Sequence, residues 1–182
     1  MRKVYFIGDT HFDHAKLLNF PERGVRFKSV EEMNERIISN WNSVVEEGDK
    51  VFLCGDVALS TTPESLDNIL GQLKGEKVLV MGNHDNAPSK IEVYNKHFTA
   101  LVGAVEYKDA IVTHIPVHPS QLEYRWKYNI HGHTHHHCVM TTLPGTKITD
   151  VIDNKYLCCS CEQVGFRPVT YEELLTQRKV IL

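Results

Sequence analysis

Five short apolar runs in this chain each end in a glycine or polar residue and then in a cluster of Asp, Asn or His. That repeated ending is what most restricts the fold. Val4 to Ile7 runs into Gly8-Asp9-Thr10-His11, Val51 to Cys54 into Gly55-Asp56, and Val78 to Met81 into Gly82-Asn83-His84-Asp85. Ala110 to Thr113 gives way to His114, and Tyr128 to His131 to Gly132-His133-Thr134-His135. Such runs read as short buried strands. Open α/β sheets gather ligands beyond the carboxyl ends of their strands, so the five clusters are expected at one edge of the molecule.

Amphipathic segments lie between the runs. Ser29-Val30-Glu31-Glu32 has the form of a capping box and opens a helix through Met33, Ile37, Ile38, Trp41 and Val44, apolar positions at helical spacing. Thr62-Pro63 starts a second, with Leu66, Ile69, Leu70 and Leu73 on one face and Gly75 beyond. A third spans Pro88 to about His97, and Thr170-Tyr171-Glu172-Glu173 caps a short last one over Leu174 and Leu175. Helix and strand alternate in the first half, and strands dominate from about Leu101 to Cys161. The expected class is α/β, with helices covering a mixed sheet. Phe12 to Lys28 is a long connection, a kind that often carries function.

At 182 residues the chain has the size of one domain, and 1–182 is read as a single unit whose 42% hydrophobic content supports a core. A formal net charge of −3 provides no overall basic field for nucleic acid or anionic membrane. The first apolar run is shorter than the roughly 7 to 15 residues of a secretory core. No stretch approaches the roughly 18 apolar residues of a membrane helix. Cysteines number 5, an odd count, which suits a reducing, cytoplasmic location.

The 11 histidines concentrate beside Asp, Asn and Gly. Residues at i and i+2 converge where the backbone curls around a point, so Asp9 with His11 and His133 with His135 make ligand pairs. With Asp56, Asn83 and His114 they form a set of seven, too many for one tetrahedral ion and suited to two ions sharing a carboxylate. Carboxylate and imidazole together favour Mn²⁺, Fe, Ni²⁺ or Zn²⁺ over Ca²⁺. Two such ions, about 3.5 to 4 Å apart, can clamp a phosphoryl group and lower the pKa of a bridging water.

Asp-x-His, Gly-Asp, Gly-Asn-His-Asp, an isolated His and Gly-His-x-His, in this order over nearly the whole chain, resemble the calcineurin-like metallophosphoesterase superfamily. The likeness is to its small bacterial and phage phosphohydrolases. It implies a sandwich of two mixed sheets flanked by helices. It implies that Asp9, His11, Asp56 and His135 bind one divalent transition metal and Asp56, Asn83, His114 and His133 another, Mn²⁺ being favoured and Asp56 bridging. The attacking group would be a bridging hydroxide, and His84 the general acid, with Asp85 orienting or charging its ring. The substrates implied are small phosphodiesters or phosphomonoesters, nucleotides among them. A nuclease acting on short or single-stranded ends and a catalytically silent scaffold are the alternatives.

Two departures narrow the family. Val57-Ala58-Leu59 follows Gly55-Asp56 where protein phosphatases have Asp-Arg-Gly, and Leu59 stands where purple acid phosphatases place a Tyr ligand. His14 and His118 could touch substrate or lie outside the site, and Arg23, Arg26 and Lys28 could grip a second phosphate. His136 and His137 read as surface residues. Cys158, Cys159 and Cys161 read as reduced structural cysteines on a late strand, with alternation placing Cys159 and Cys161 on one face. Trp126 reads as a packed ring.

Overall fold

The computed structural model describes residues 2–142 and 145–177. Two sheets face each other. The first has the order β11-β1-β2-β3-β4, built from Val169–Thr170, Val4–Ile7, Lys50–Leu53, Glu76–Val80 and Phe98–Val102. Strands β1 to β4 run parallel, and β11 pairs antiparallel with β1. The second sheet has the order β10-β7-β6-β5, from Tyr156–Cys158, Tyr128–His131, Ala110–Thr113 and Ala104–Tyr107. There only the β5 hairpin with β6 is antiparallel. A two-stranded ribbon, β8 (Met140–Thr141) with β9 (Val151–Ile152), stands apart from both.

Aromatic rings join the sheets. Phe6 of β1 stacks on Phe52 of β2 at 5.5 Å, and Tyr107 of β5 meets Phe6 edge-on at 5.2 Å. These rings belong to one continuous buried cluster with the apolar faces of the helices. In α2 (Val30–Val44) the residues Met33, Ile37 and Trp41 are fully buried, each contributing about 1.5–3 kcal/mol through its buried area. The indole of Trp41 donates to the Lys74 carbonyl at 3.0 Å. Helices α3 (Pro63–Gly71) and α4 (Pro88–His97) start at prolines, whose fixed φ suits the first turn.

Local details differ from the sequence expectations where side chains had a choice. Ser29 caps α2 by accepting from the Glu32 N–H, but the Glu32 carboxylate accepts from the Lys28 N–H rather than closing the box on Ser29. The full box forms at Thr170 and Glu173, opening α6 (Tyr171–Thr176). Helix α3 stops at Gly71, and Leu73 is buried from the following turn.

The long first connection is structured. It holds a 3-10 turn, Ala15–Asn19, and a single helical turn, α1 (Pro21–Gly24). Asp13 anchors it, accepting hydrogen bonds from Asn34, Thr61 and Ser65. The expected late cysteine strand ends at Cys158, and Cys161 begins α5 (Cys161–Val164). Cys159 and Cys161 are both buried, though not by strand alternation. Gly8 N–H donates to Cys159 O and Cys161 N–H to Gly8 O, lacing the end of β1 to the end of β10. No disulfide is present among the described residues. No helix among the described residues is long and apolar enough to cross a membrane.

Candidate metal centre

The lacing of strand ends brings all five clusters to one edge. Asp9 N–H donates to Gly55 O, His11 N–H to Asp56 O, and Gly132 N–H to His114 O. The sequence makes this close approach possible with glycine. A Cβ on Gly132 would fall 2.6 Å from Asp9 Oδ2, and Gly55, at φ +79°, would direct one into the His114 ring. The ligand residues themselves adopt the left-handed region at Asp9 (φ 55°), His11 (48°), Asp56 (54°), His133 (67°) and His135 (51°). Such conformations in non-glycine residues cost about 1–3 kcal/mol each and persist only where the surrounding structure imposes them.

Two groups result. Asp9, His11 and His135 place one ligand atom each within 4.8 Å of one another, and so do Asp56, His114 and His133. Asp56 stands between the groups, its Oδ2 lying 3.6 Å from His11 Nε2 and 3.5 Å from His114 Nε2. Asn83 joins the second group, with Oδ1 at 3.0 Å from His114 Nε2. Each group has an imidazole fixed through Nδ1, by Cys54 O for His114 and by Glu162 for His135, which leaves Nε2 as the available donor atom. Asp9 accepts from the His133 N–H.

These residues fit divalent metal. Both ring nitrogens of His11 are buried without a hydrogen-bond partner, an arrangement that is costly unless an ion completes it. Burial, with the neighbouring Arg23 charge, pulls the His11 pKa down to about 2, so the ring is neutral and its lone pair free. Burial pushes the Asp9 carboxyl up to about 6, the mark of a carboxylate without its counter-charge. Asp56 is held at about 2 because the His114 hydrogen bond and charge and the His84 N–H outweigh the effect of burial.

Residues to which the sequence suggested another role, or none, hold the ligands in place. Arg23 is 1% exposed and donates to Thr10 O, Asp9 O and Glu162 Oε1, the last at 2.7 Å. Glu162 in turn meets His135 Nδ1 at 3.0 Å, so one buried carboxylate ties Arg23 to a ligand. Lys90 donates to the carbonyls of Ala58 and His84. Glu162 follows the cysteine cluster and Arg23 is one of two arginines in the first loop, and neither position gave a sequence sign of the pair they form.

Two expectations are corrected. Asp85 does not orient His84. It is fully buried and accepts from the backbone N–H groups of Asp56, Val57 and Gly82 and from the Tyr94 hydroxyl, so it braces the loop carrying Asp56. Arg23 does not face a second phosphate, since its donors point inward, and Arg26 lies over the Phe166 ring at 5.7 Å. His84 keeps its place at the centre, its N–H donating to Asp56 Oδ1 and its 43%-exposed side chain presenting Nε2 4.0 Å from Asp56 Oδ2. His14 lies beside His11, with ring centroids 5.4 Å apart. His118 caps a 3-10 turn, Pro119–Leu122, by accepting from Ser120, and His136 pairs with Glu22 at 3.4 Å. Trp126 packs against the small cluster of Ile111, Leu122 and Tyr156.

The model of the calcineurin-like phosphoesterase superfamily domain matches residues 2–150. The chain belongs to that superfamily. Among curated proteins, this phosphoesterase chain is 32% identical over 190 residues to the uncharacterized protein MJ1445 of Methanocaldococcus jannaschii, covering 100% of this chain and 96% of that one. It is 25% identical over 165 residues to the gene 66 protein of Mycobacterium phage L5, covering 74% and 78%. Among solved structures, the protein of unknown function AQ665 from Aquifex aeolicus superposes with a TM-score of 0.71 at 23% identity, over 98% of this chain and 100% of that one, a likeness of fold. Family and side-chain clusters together make this a metal-dependent phosphoesterase domain in general terms.

Proposed function

We propose that this protein hydrolyses small phosphodiesters or phosphomonoesters at a dinuclear centre. Asp9, His11, Asp56 and His135 would hold one ion, and Asp56, Asn83, His114 and His133 the other. The observation that carries this reading is the position of Asp56, whose one carboxylate lies within 3.6 Å of a histidine from each group. Bound there, divalent ions would supply positive charge for the phosphoryl oxygens and a lowered pKa for water.

The chain's own residues supply the rest. The Asp9 and Asp56 carboxylates and the imidazole rings of the two groups would hold the ions. The Arg23–Glu162 pair fixes His135, and the carboxylate of Asp85 fixes the Asp56 loop. His84 Nε2, beside Asp56 and open to solvent, is placed to hold a proton and deliver it to the departing ester oxygen. An odd count of cysteines, 5, with no disulfide among the described residues, suits a reducing, cytoplasmic setting.

The test is hydrolysis of bis-p-nitrophenyl phosphate and p-nitrophenyl phosphate by metal-stripped protein reloaded with Mn²⁺, Ni²⁺ or Zn²⁺. Turnover should require metal and fall at least about a thousandfold in Asp56→Asn, with metal content falling as well. Folded, metal-loaded protein inactive on both esters would defeat the reading in favour of a binding scaffold.

A further inference from the structure

A cavity of about 390 Å³ opens beside the two groups, between the first loop and the His133–His137 segment. His133 and His135, one from each group, line it, so the cavity is continuous with the centre. Leu17 and Phe20 line it too, and Phe20, 56% exposed, offers an open aromatic face there. His136 and His137 add two more rings, their centroids 3.9 Å apart.

The charges exclude one class of occupant. Two carboxylates, Glu22 and Glu162, line the cavity. Among the described residues, its one Lys or Arg is Arg23, whose guanidinium is buried and already bonded to Thr10 O, Asp9 O and Glu162. A second phosphate would therefore meet negative charge with no available cation. An uncharged aromatic ring would instead cover Phe20 and lie against the histidine rings, with area burial and ring contact both favourable.

We infer that this cavity is the subsite for the organic group of the ester, and that the group is an uncharged aromatic ring. The inference rests on the phosphoesterase reading. It places the phosphoryl group at the Asp/His clusters and the ring against Phe20, and it makes Phe20 a specificity residue that does not touch the reacting atoms.

Phosphonates, which are not hydrolysed as esters, separate recognition from turnover. Calorimetry on Mn²⁺-loaded protein should show phenylphosphonate binding about tenfold or more tighter than methylphosphonate. Phe20 is exposed, so Phe20→Ala should fold normally. It should bring phenylphosphonate to within about threefold of methylphosphonate and leave the methyl compound unchanged. Equal affinity for phenyl and methyl, or a phenyl preference that survives Phe20→Ala, would each overturn the subsite. Failure of both phosphonates to bind folded, metal-loaded protein would instead sink the phosphoesterase reading beneath it.

Discussion

The two halves of the centre are built by different means. In the group of Asp9, His11 and His135, the support is side chain on side chain: Arg23 and Glu162, far apart in the chain, meet beneath His135 and against the Asp9 backbone. In the group of Asp56, His114 and His133, it is largely backbone: Cys54 O fixes His114, and Asp85 collects the N–H groups of Asp56, Val57 and Gly82. Each group has two buried ligands, and the first is the more closed because its third, His135, is half-buried whereas His133 in the second is exposed. A half held by side chains can be loosened by one substitution that leaves every ligand in place. A half held by backbone yields mainly to changes in the ligands themselves or in Asp85.

The largest expected effect falls on the open half. His84→Ala should lower kcat by about 10²–10⁴ while both ions remain bound, because the ring lies beside Asp56 without completing either group. Loss of metal in that variant would move His84 from proton donor to ligand. Next is the closed half, where Glu162→Gln removes the carboxylate that fixes His135 and charges Arg23's partner. Affinity for one of two ions should fall about 10- to 100-fold in a chelator titration, with the other unchanged. An equal loss at both would show that the halves are not separately supported.

The smallest effect is that of pH. The Asp9 carboxyl, pushed up to about 6 by burial, is protonated below that value and must release its proton to take a cation. Metal affinity should therefore fall already through the histidine range, because His114 and His135 are raised, against burial, by Asp56 and by Glu162 and must also release protons, and should fall more steeply below about pH 6 as Asp9 takes up its own. A flat profile down to pH 5 would remove Asp9 from the ligand set.

The clusters could be read from the sequence because each follows a buried strand with the apolar-then-glycine pattern intact, and the strands β1, β2, β3, β6 and β7 were placed to within two residues. Other parts left weak traces. Strand β4 has irregular burial, and β5 alternates only between exposed and half-buried positions over four residues, so no buried run marks either. The turns at Ala15–Asn19 and Pro21–Gly24 are too short for helical periodicity to show. Asp85 misled because adjacency suggested a partnership with His84, yet in a tight turn neighbouring side chains diverge, and this one points into the core. The Arg23–Glu162 pair spans a separation of 139 positions, and nothing local marks a contact of that kind.

The left-handed backbone at Asp9, His11, Asp56, His133 and His135 sets stability against catalysis. On conformational grounds alone, glycine or asparagine suits those positions better than histidine does. Random drift, freed from selection for hydrolysis, would tend to replace the histidines first and to gain firmness by doing so. An inactive descendant of this chain would then melt higher than its ancestor, and its raised melting temperature would record what the ancestor had given up to keep its ligands.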